Sequence, residues 1–453
     1  MTARKAIWFL AGLACLATAP AANAQSFFLK KGDVVVVMGD SITEQRLYSN
    51  YLELWSQTRF PAYNLVFRNV GIGGDSSGGG NSRFKRDVLP FKPTVLTVDF
   101  GMNDGGYIWD GKSVKLKDPK SKELVEKQFT AKDVEVRLAN YLKGQQGIAD
   151  QAKAANIRVA WVTPQPVEHN PGDINEKYNQ TLEKFSDGVK QIAMKNDGLF
   201  ADQFHPYWAV IDKARKAGEK GRITGGDAVH PGVPGQTLMA ASILKALGFP
   251  KQVSSVEVSV GPNSGGGKAQ NCGISDVIAK DGGVSFKRQD FALPFFPEQA
   301  KSILKWTPLL DEMNDYGLKV IGLQPGKYEV KIDGKMLKID AKTTATYTDK
   351  ELAAGVNLAA VVLFEGPIAD QVKEVVKAVT DKTNYYHDKI YSPLVLGRDL
   401  AKNPDFKDVA KEDVAKRREA LIAERLKMMP DLDAAIRKSL EPRSHVVEIV
   451  QAK

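Results

Sequence analysis

Between residues 33 and 250 short apolar runs alternate with longer segments whose apolar positions recur at helical spacing. The runs cover residues 34–38, 65–69, 95–100, 158–162 and 199–201, and they are continuous rather than alternating. Strands apolar on successive residues are buried on both faces, as in a parallel sheet with helices on either side. Residues 131–155 and 176–195 supply the crossover helices that such a sheet requires. Residues 237–247 predict one more helix, closed by Gly248-Phe249-Pro250, where Gly can take the left-handed cap and Pro forbids continuation. The pattern predicts an α/β layered domain that ends there.

Beyond it the period shortens. Residues 254–260 read as a strand, 261–267 as a Gly/Asn loop, and 318–323, 328–332 and 336–339 as strands joined by Gln324-Pro325-Gly326 and the Asp333-Gly334 hairpin turn. From Ile368 onward, Lys/Glu-rich segments such as 371–379 and 407–428 predict helices with solvated faces. The expected organisation is therefore residues 25–250 as a first domain, 251–365 as a β-rich accessory region and 366–453 as a helical C-terminal region.

Composition adds constraints. A length of 453 residues exceeds what one core usually organises. The 43% hydrophobic and 26% charged fractions are ordinary for a soluble chain, and no stretch beyond the N-terminus is apolar for long enough to span a bilayer. Residues 1–24 predict a signal peptide: Arg4 and Lys5, an apolar run over 6–19, then Pro20 and Ala22-Asn23-Ala24, with the cut expected after Ala24. The mature protein is then secreted or periplasmic. Cleavage removes Cys15 and leaves Cys272 as the one thiol, so packing rather than a disulfide must stabilise the chain. The net charge of +9 includes no Lys/Arg block of the kind that binds nucleic acid, and none is expected as a partner.

Four blocks carry chemistry. The first strand runs into Gly39-Asp40-Ser41, placing a serine at the carboxyl end of a buried strand, where open α/β sheets bind ligands. Asp227-Ala228-Val229-His230-Pro231 lies just before the last helix of the same domain; a serine hydroxyl needs a His to take its proton, and that His needs a carboxylate. Asp202-Gln203-Phe204-His205-Pro206 repeats the same spacing. The later pair is preferred because Gly232 leads straight into a helix, whereas His205 precedes Tyr207-Trp208 in an expected loop. Gly101-Met102-Asn103-Asp104 puts an amide donor at the sheet edge that carries Ser41, and Gly71-Ile72-Gly73-Gly74-Asp75-Ser76 lets backbone N–H groups approach a ligand closely. The glycine loop lacks the Gly-Lys-Ser/Thr ending of a phosphate cradle.

In this order the four blocks resemble the SGNH/GDSL hydrolases, over about residues 34–250. The resemblance implies a three-layer, flavodoxin-like parallel sheet flanked by helices, with Ser41, Asp227 and His230 as the catalytic triad and Ser41, Gly74 and Asn103 as the oxyanion hole. Ile42 stands where family members often carry Leu or Thr. No cofactor is implied, and the five histidines show no metal-ligand spacing.

The expected activity is hydrolysis of carboxylic esters through an acyl-enzyme, foremost O-acetyl or other short-chain esters on a polysaccharide or oligosaccharide. Asp40, Tyr107, Trp109 and His205 are the candidate substrate-binding residues. The alternatives are a lipolytic esterase, lysophospholipase or thioesterase acting on longer acyl chains, and a non-catalytic carbohydrate- or envelope-binding protein. The sequence leaves oligomeric state open.

Overall fold

The computed structural model describes residues 26–117, 123–261 and 267–452; the expected signal peptide, with Cys15, lies outside them. Five parallel strands form the central sheet, in the order Val66–Asn69, Val34–Gly39, Val95–Asp99, Arg158–Val162, Leu199–Ala201. Their side chains leave the two faces alternately, and both faces are covered. Val35 and Val37 join one core with Leu52, Trp55, Met239 and Leu244, from helices Leu47–Arg59 and Val233–Ala246. Val36 and Met38 join a second with Phe84, Tyr141 and Phe185, from helices Ser77–Asp87, Ala131–Ala154 and Asn179–Lys195. Burial on both sides explains why these strands read as unbroken apolar runs.

The strand order reverses at Val34–Gly39. The chain leaves it for one neighbour, Val66–Asn69, and then crosses back to pair Val95–Asp99 on its other side. Such a reversal opens a crevice at the carboxyl ends of the two diverging strands. Ser41 follows the first strand and Gly101–Asp104 the third, so two chemistry-bearing blocks meet where this topology leaves room.

Two further sheets follow. In one, Gln252–Ser259 pairs in parallel with Asp315–Ile321 and antiparallel with Gly267–Gln270, and Val356–Asn357 borders the other side. In the other, Ser444–Gln451 lies between Gly283–Asp290 and Lys327–Ile332. This final strand makes the helices from residue 367 onward an excursion between strands of one sheet. Its alternating burial carries a period-two signal that the preceding Lys/Glu-rich helices obscured. A hairpin of Ser113–Lys117 and Leu124–Gln128 was not expected either; its side chains are largely exposed and its sequence is not markedly apolar.

Pro367–Tyr385 packs on Leu47–Arg59 and continues as a π-helix to Val395, followed by helices Val414–Leu426 and Met429–Ser439. Buried ion pairs weld these helices to the first domain: Arg68 with Asp433, and Lys382 with Glu53, whose Oε2 lies 2.6 Å from Nζ. Among the described residues no helix is long and apolar enough to cross a membrane.

Candidate active site

Asp40 ends the first strand's turn and caps the short helix Ser41–Glu44, its carboxylate accepting the Ile42 N–H at 3.0 Å. The cap sets Ser41 at the first helical position, where a backbone N–H has no acceptor within its own helix. Ser41 Oγ lies 2.9 Å from His230 Nε2, and His230 Nδ1 lies 3.0 Å from Asp227 Oδ2.

Asp227 fixes more than the ring. Its Oδ1 accepts the N–H groups of Val229 and His230, both at 2.7 Å, and its own N–H donates to the His230 carbonyl at 3.1 Å. Partial burial would raise its pKa, but the His230 and Val229 amides and the imidazole outweigh that and lower it. An ionised carboxylate on Nδ1 holds the proton there and leaves Nε2 as the acceptor facing the serine hydroxyl.

Supports for this loop come from residues with no local signature of such a role. Glu168 is buried; its carboxylate accepts the Ile223 and Thr224 N–H groups at 2.9 Å, and its N–H donates to Ala228 O at 3.0 Å. Gln236 Nε2 donates to the Pro231 carbonyl at 3.0 Å, while its Oε1 accepts the Tyr48 N–H.

The glycine loop and the Asn103 block come together beside Ser41. Asn103 Nδ2 donates to the Asp75 carbonyl at 2.9 Å and, more weakly, to Asp40 Oδ2 at 3.3 Å. Gly74 has φ +75°, and no atom lies within 4 Å of where a side chain would stand, so the loop is open there. Arg83, buried under the loop, binds Asp75 through Nε at 2.7 Å and the carbonyls of Gly39 and Val70 at 3.0 and 2.6 Å. One guanidinium thus ties the ends of two strands to the loop, a role with no local signature.

The four candidate substrate residues separate. Tyr107 is partly exposed and its hydroxyl donates to Asn103 Oδ1 at 3.3 Å, within the site. Trp109 is buried in the core, with Lys112 Nζ 4.5 Å over its ring, so it presents no surface to a substrate. Asp40 is buried too, beneath Ser41. His205 is exposed and bonds Asp202 at 2.8 Å, with Glu183 at 3.7 Å; among the described residues neither pair bonds Ser41, His230 or Asp227. His205 also lies in the first turn of helix Phe204–Lys216, not in a loop, because Pro206 is compatible with a helix start.

Two buried carboxyls, Asp40 and Asp99, lie at the ends of the paired strands that lead to the site. Burial pushes Asp40 up to about 7, with Asp104 and Asp75 adding to the shift. Asp99, which accepts from Gln203 Nε2 at 3.1 Å, is pushed well above the carboxylate range by burial and then by Asp40. A carboxyl whose folded pKa is raised contributes stability below its unfolded pKa, near 3.8, and loses it as pH rises toward the folded value. Asp99→Asn escapes that loss, so its stability relative to wild type should improve from pH 5 to pH 8 in urea titrations; equal differences at both pH values would refute a neutral Asp99.

Residues 37–238 match the GDSL-like Lipase/Acylhydrolase family. A curated acetylxylan esterase from Geobacillus stearothermophilus is 24% identical over 233 residues, which cover 48% of this chain and 95% of that protein. A solved gut microbial diltiazem-metabolizing enzyme superposes with a TM-score of 0.74 at 24% identity, covering 94% of this chain and 98% of that one; the likeness is one of fold and extends through the C-terminal half. Residues 37–238, which hold the central sheet and all four blocks of the site, thus form a GDSL-like lipase/acylhydrolase domain.

Proposed function

We propose that the protein is an exported serine esterase that removes short acyl groups, foremost acetyl, from carbohydrate. The observation that carries the chemistry is the unbroken relay from Ser41 Oγ through His230 to Asp227, at 2.9 and 3.0 Å. His230 takes the hydroxyl proton as Ser41 attacks the ester carbonyl, and Asp227 stabilises the imidazolium. His230 then returns the proton to the leaving alcohol, and a water activated by the same imidazole hydrolyses the acyl-enzyme.

The oxyanion is held by the N–H groups of Ser41 and Gly74 and by the Asn103 amide. Asn103 is already engaged, and its 3.3 Å contact with Asp40 is the one that yields as charge develops. Losing one such donor costs about 10²–10³ in turnover. Asn103→Ala should therefore lose that much in kcat while keeping a near-native melting temperature, and near-full activity would remove Asn103 from the hole.

The substrate reading draws on the acetylxylan esterase relative, which aligns over nearly its whole length, and on the expected leader over residues 1–24. Tyr107, partly exposed beside Asn103, supplies an apolar ring on which a sugar can rest. The test is acetate release from a panel of acetylated glycans by wild type and Ser41→Ala, alongside nitrophenyl esters of increasing chain length. Release by wild type alone, with preference for acetate, is the expected result; a preference for long chains would favour a lipolytic enzyme.

A further inference from the structure

The helical region from Pro367 onward does more than cover the first domain, since side chains of its π-helical turn and the loop after it reach the frame of the site. The Tyr391 hydroxyl lies 3.1 Å from the Val70 carbonyl, at the start of the glycine loop, 3.0 Å from Asp87 Oδ2 and 3.2 Å from Arg83. His387 Nε2 stands 3.3 Å from Glu44 Oε1, and Arg398 engages both oxygens of the same carboxylate, NH1 on Oε1 and NH2 on Oε2 at 3.2 Å. Glu44 is the last residue of the short helix that Ser41 opens. Its Oε2 accepts the Gly73 N–H at 2.5 Å, one peptide before Gly74.

The loop has no slack at this point. A Cβ on Gly71 would stand 2.4 Å from the Glu44 backbone nitrogen, and one on Gly73 would lie 3.0 Å from the Glu44 carboxylate and 4.0 Å from Ser41 Cβ. Burial would raise the Glu44 pKa, but His387, Arg398 and the Gly73 amide together bring it down to about 2. The acceptor facing Gly73 is a full anion.

We infer that Glu44 is a positioning residue for the oxyanion loop, and that Arg398 and His387, brought in by the C-terminal region, clamp its carboxylate in the one orientation that holds Gly73. The inference rests on the ester-hydrolase reading of Ser41 given above. A carboxylate free to turn would leave Gly73 to water. A clamped one fixes that peptide and, through the left-handed turn at Gly74, the N–H that follows it before substrate arrives. Preorganised donors cost no reorganisation when charge develops, and this is the source of their effect. Glu44 itself touches no substrate, so its loss should fall on kcat.

The experiment is steady-state hydrolysis of p-nitrophenyl acetate by the full chain, comparing wild type with Glu44→Gln, Arg398→Gln, Arg398→Lys and Ser41→Ala, with a melting temperature for each. Arg398 is partly exposed, so its variants should fold. Both Gln variants should lose about 10- to 100-fold in kcat, short of deleting a donor outright. KM should stay within about twofold, as expected for an interaction felt mainly in the transition state. Arg398→Lys, which keeps the charge, should recover part of the loss. Variants that melt lower but keep wild-type kcat, or that raise KM alone, would overturn the inference. A wild type no more active than Ser41→Ala would instead overturn the reading beneath it, and the inference with it.

Discussion

Replacing His230 with alanine should abolish ester turnover, while His205→Ala should leave most of it. The two histidines occupy the same Asp-x-x-His-Pro pattern, and each sets Nδ1 against the carboxyl group of the Asp three residues before, at 3.0 and 2.8 Å. They differ at the other nitrogen. His230 Nε2 meets Ser41 Oγ, whereas His205 Nε2 faces Glu183 at 3.7 Å. A serine without its base retains only what binding and the oxyanion hole supply, so the expected loss in kcat is on the order of 10⁴- to 10⁶-fold. Comparable losses in the two variants would mean that the geometry at Ser41 is not what selects between them.

The second large effect is on stability. Asp433→Ala should destabilise the protein by about 3–5 kcal/mol, because it strands Arg68 in the interior. Arg68 reaches Asp433 bidentately, NH1 on Oδ1 at 3.0 Å and NH2 on Oδ2 at 2.6 Å, and both side chains are under 10% exposed. The cost comes from the unpaired charge rather than from the worth of the pair. Arg68→Met with Asp433→Leu should accordingly recover most of the stability in urea titrations. If the double variant is as unstable as the single, the packing of helix Met429–Ser439 rather than the stranded guanidinium is responsible. The single variant should also lower turnover, since the same excursion carries His387 and Arg398 to Glu44.

Much of this was legible in the chain. Strands buried on both faces leave unbroken apolar runs, and residues 158–162 and 199–201 were read with the boundaries the structure shows. The blocks around Ser41, Gly74, Asn103 and His230 could be ordered because each follows a strand end or precedes a helix. The tools that hold them were not legible. Arg83, Glu168 and Glu44 act on backbone groups far away in sequence, and an arginine or glutamate with a distant carbonyl or amide for a partner looks like any surface charge. Trp109 shows the converse error: an aromatic near a motif is more often packing than recognition, and its buried ring contributes a large apolar area to the core. The last strand failed for a third reason, because its partners lie in strands ending more than 100 residues earlier.

Covalent labelling tests the central claim most directly. After treatment with a fluorophosphonate, intact-mass and peptide-level mass spectrometry should find one adduct, on Ser41, absent from Ser41→Ala and slowed in His230→Ala. An adduct on another residue, or ester hydrolysis that survives in Ser41→Ala, would contradict the account.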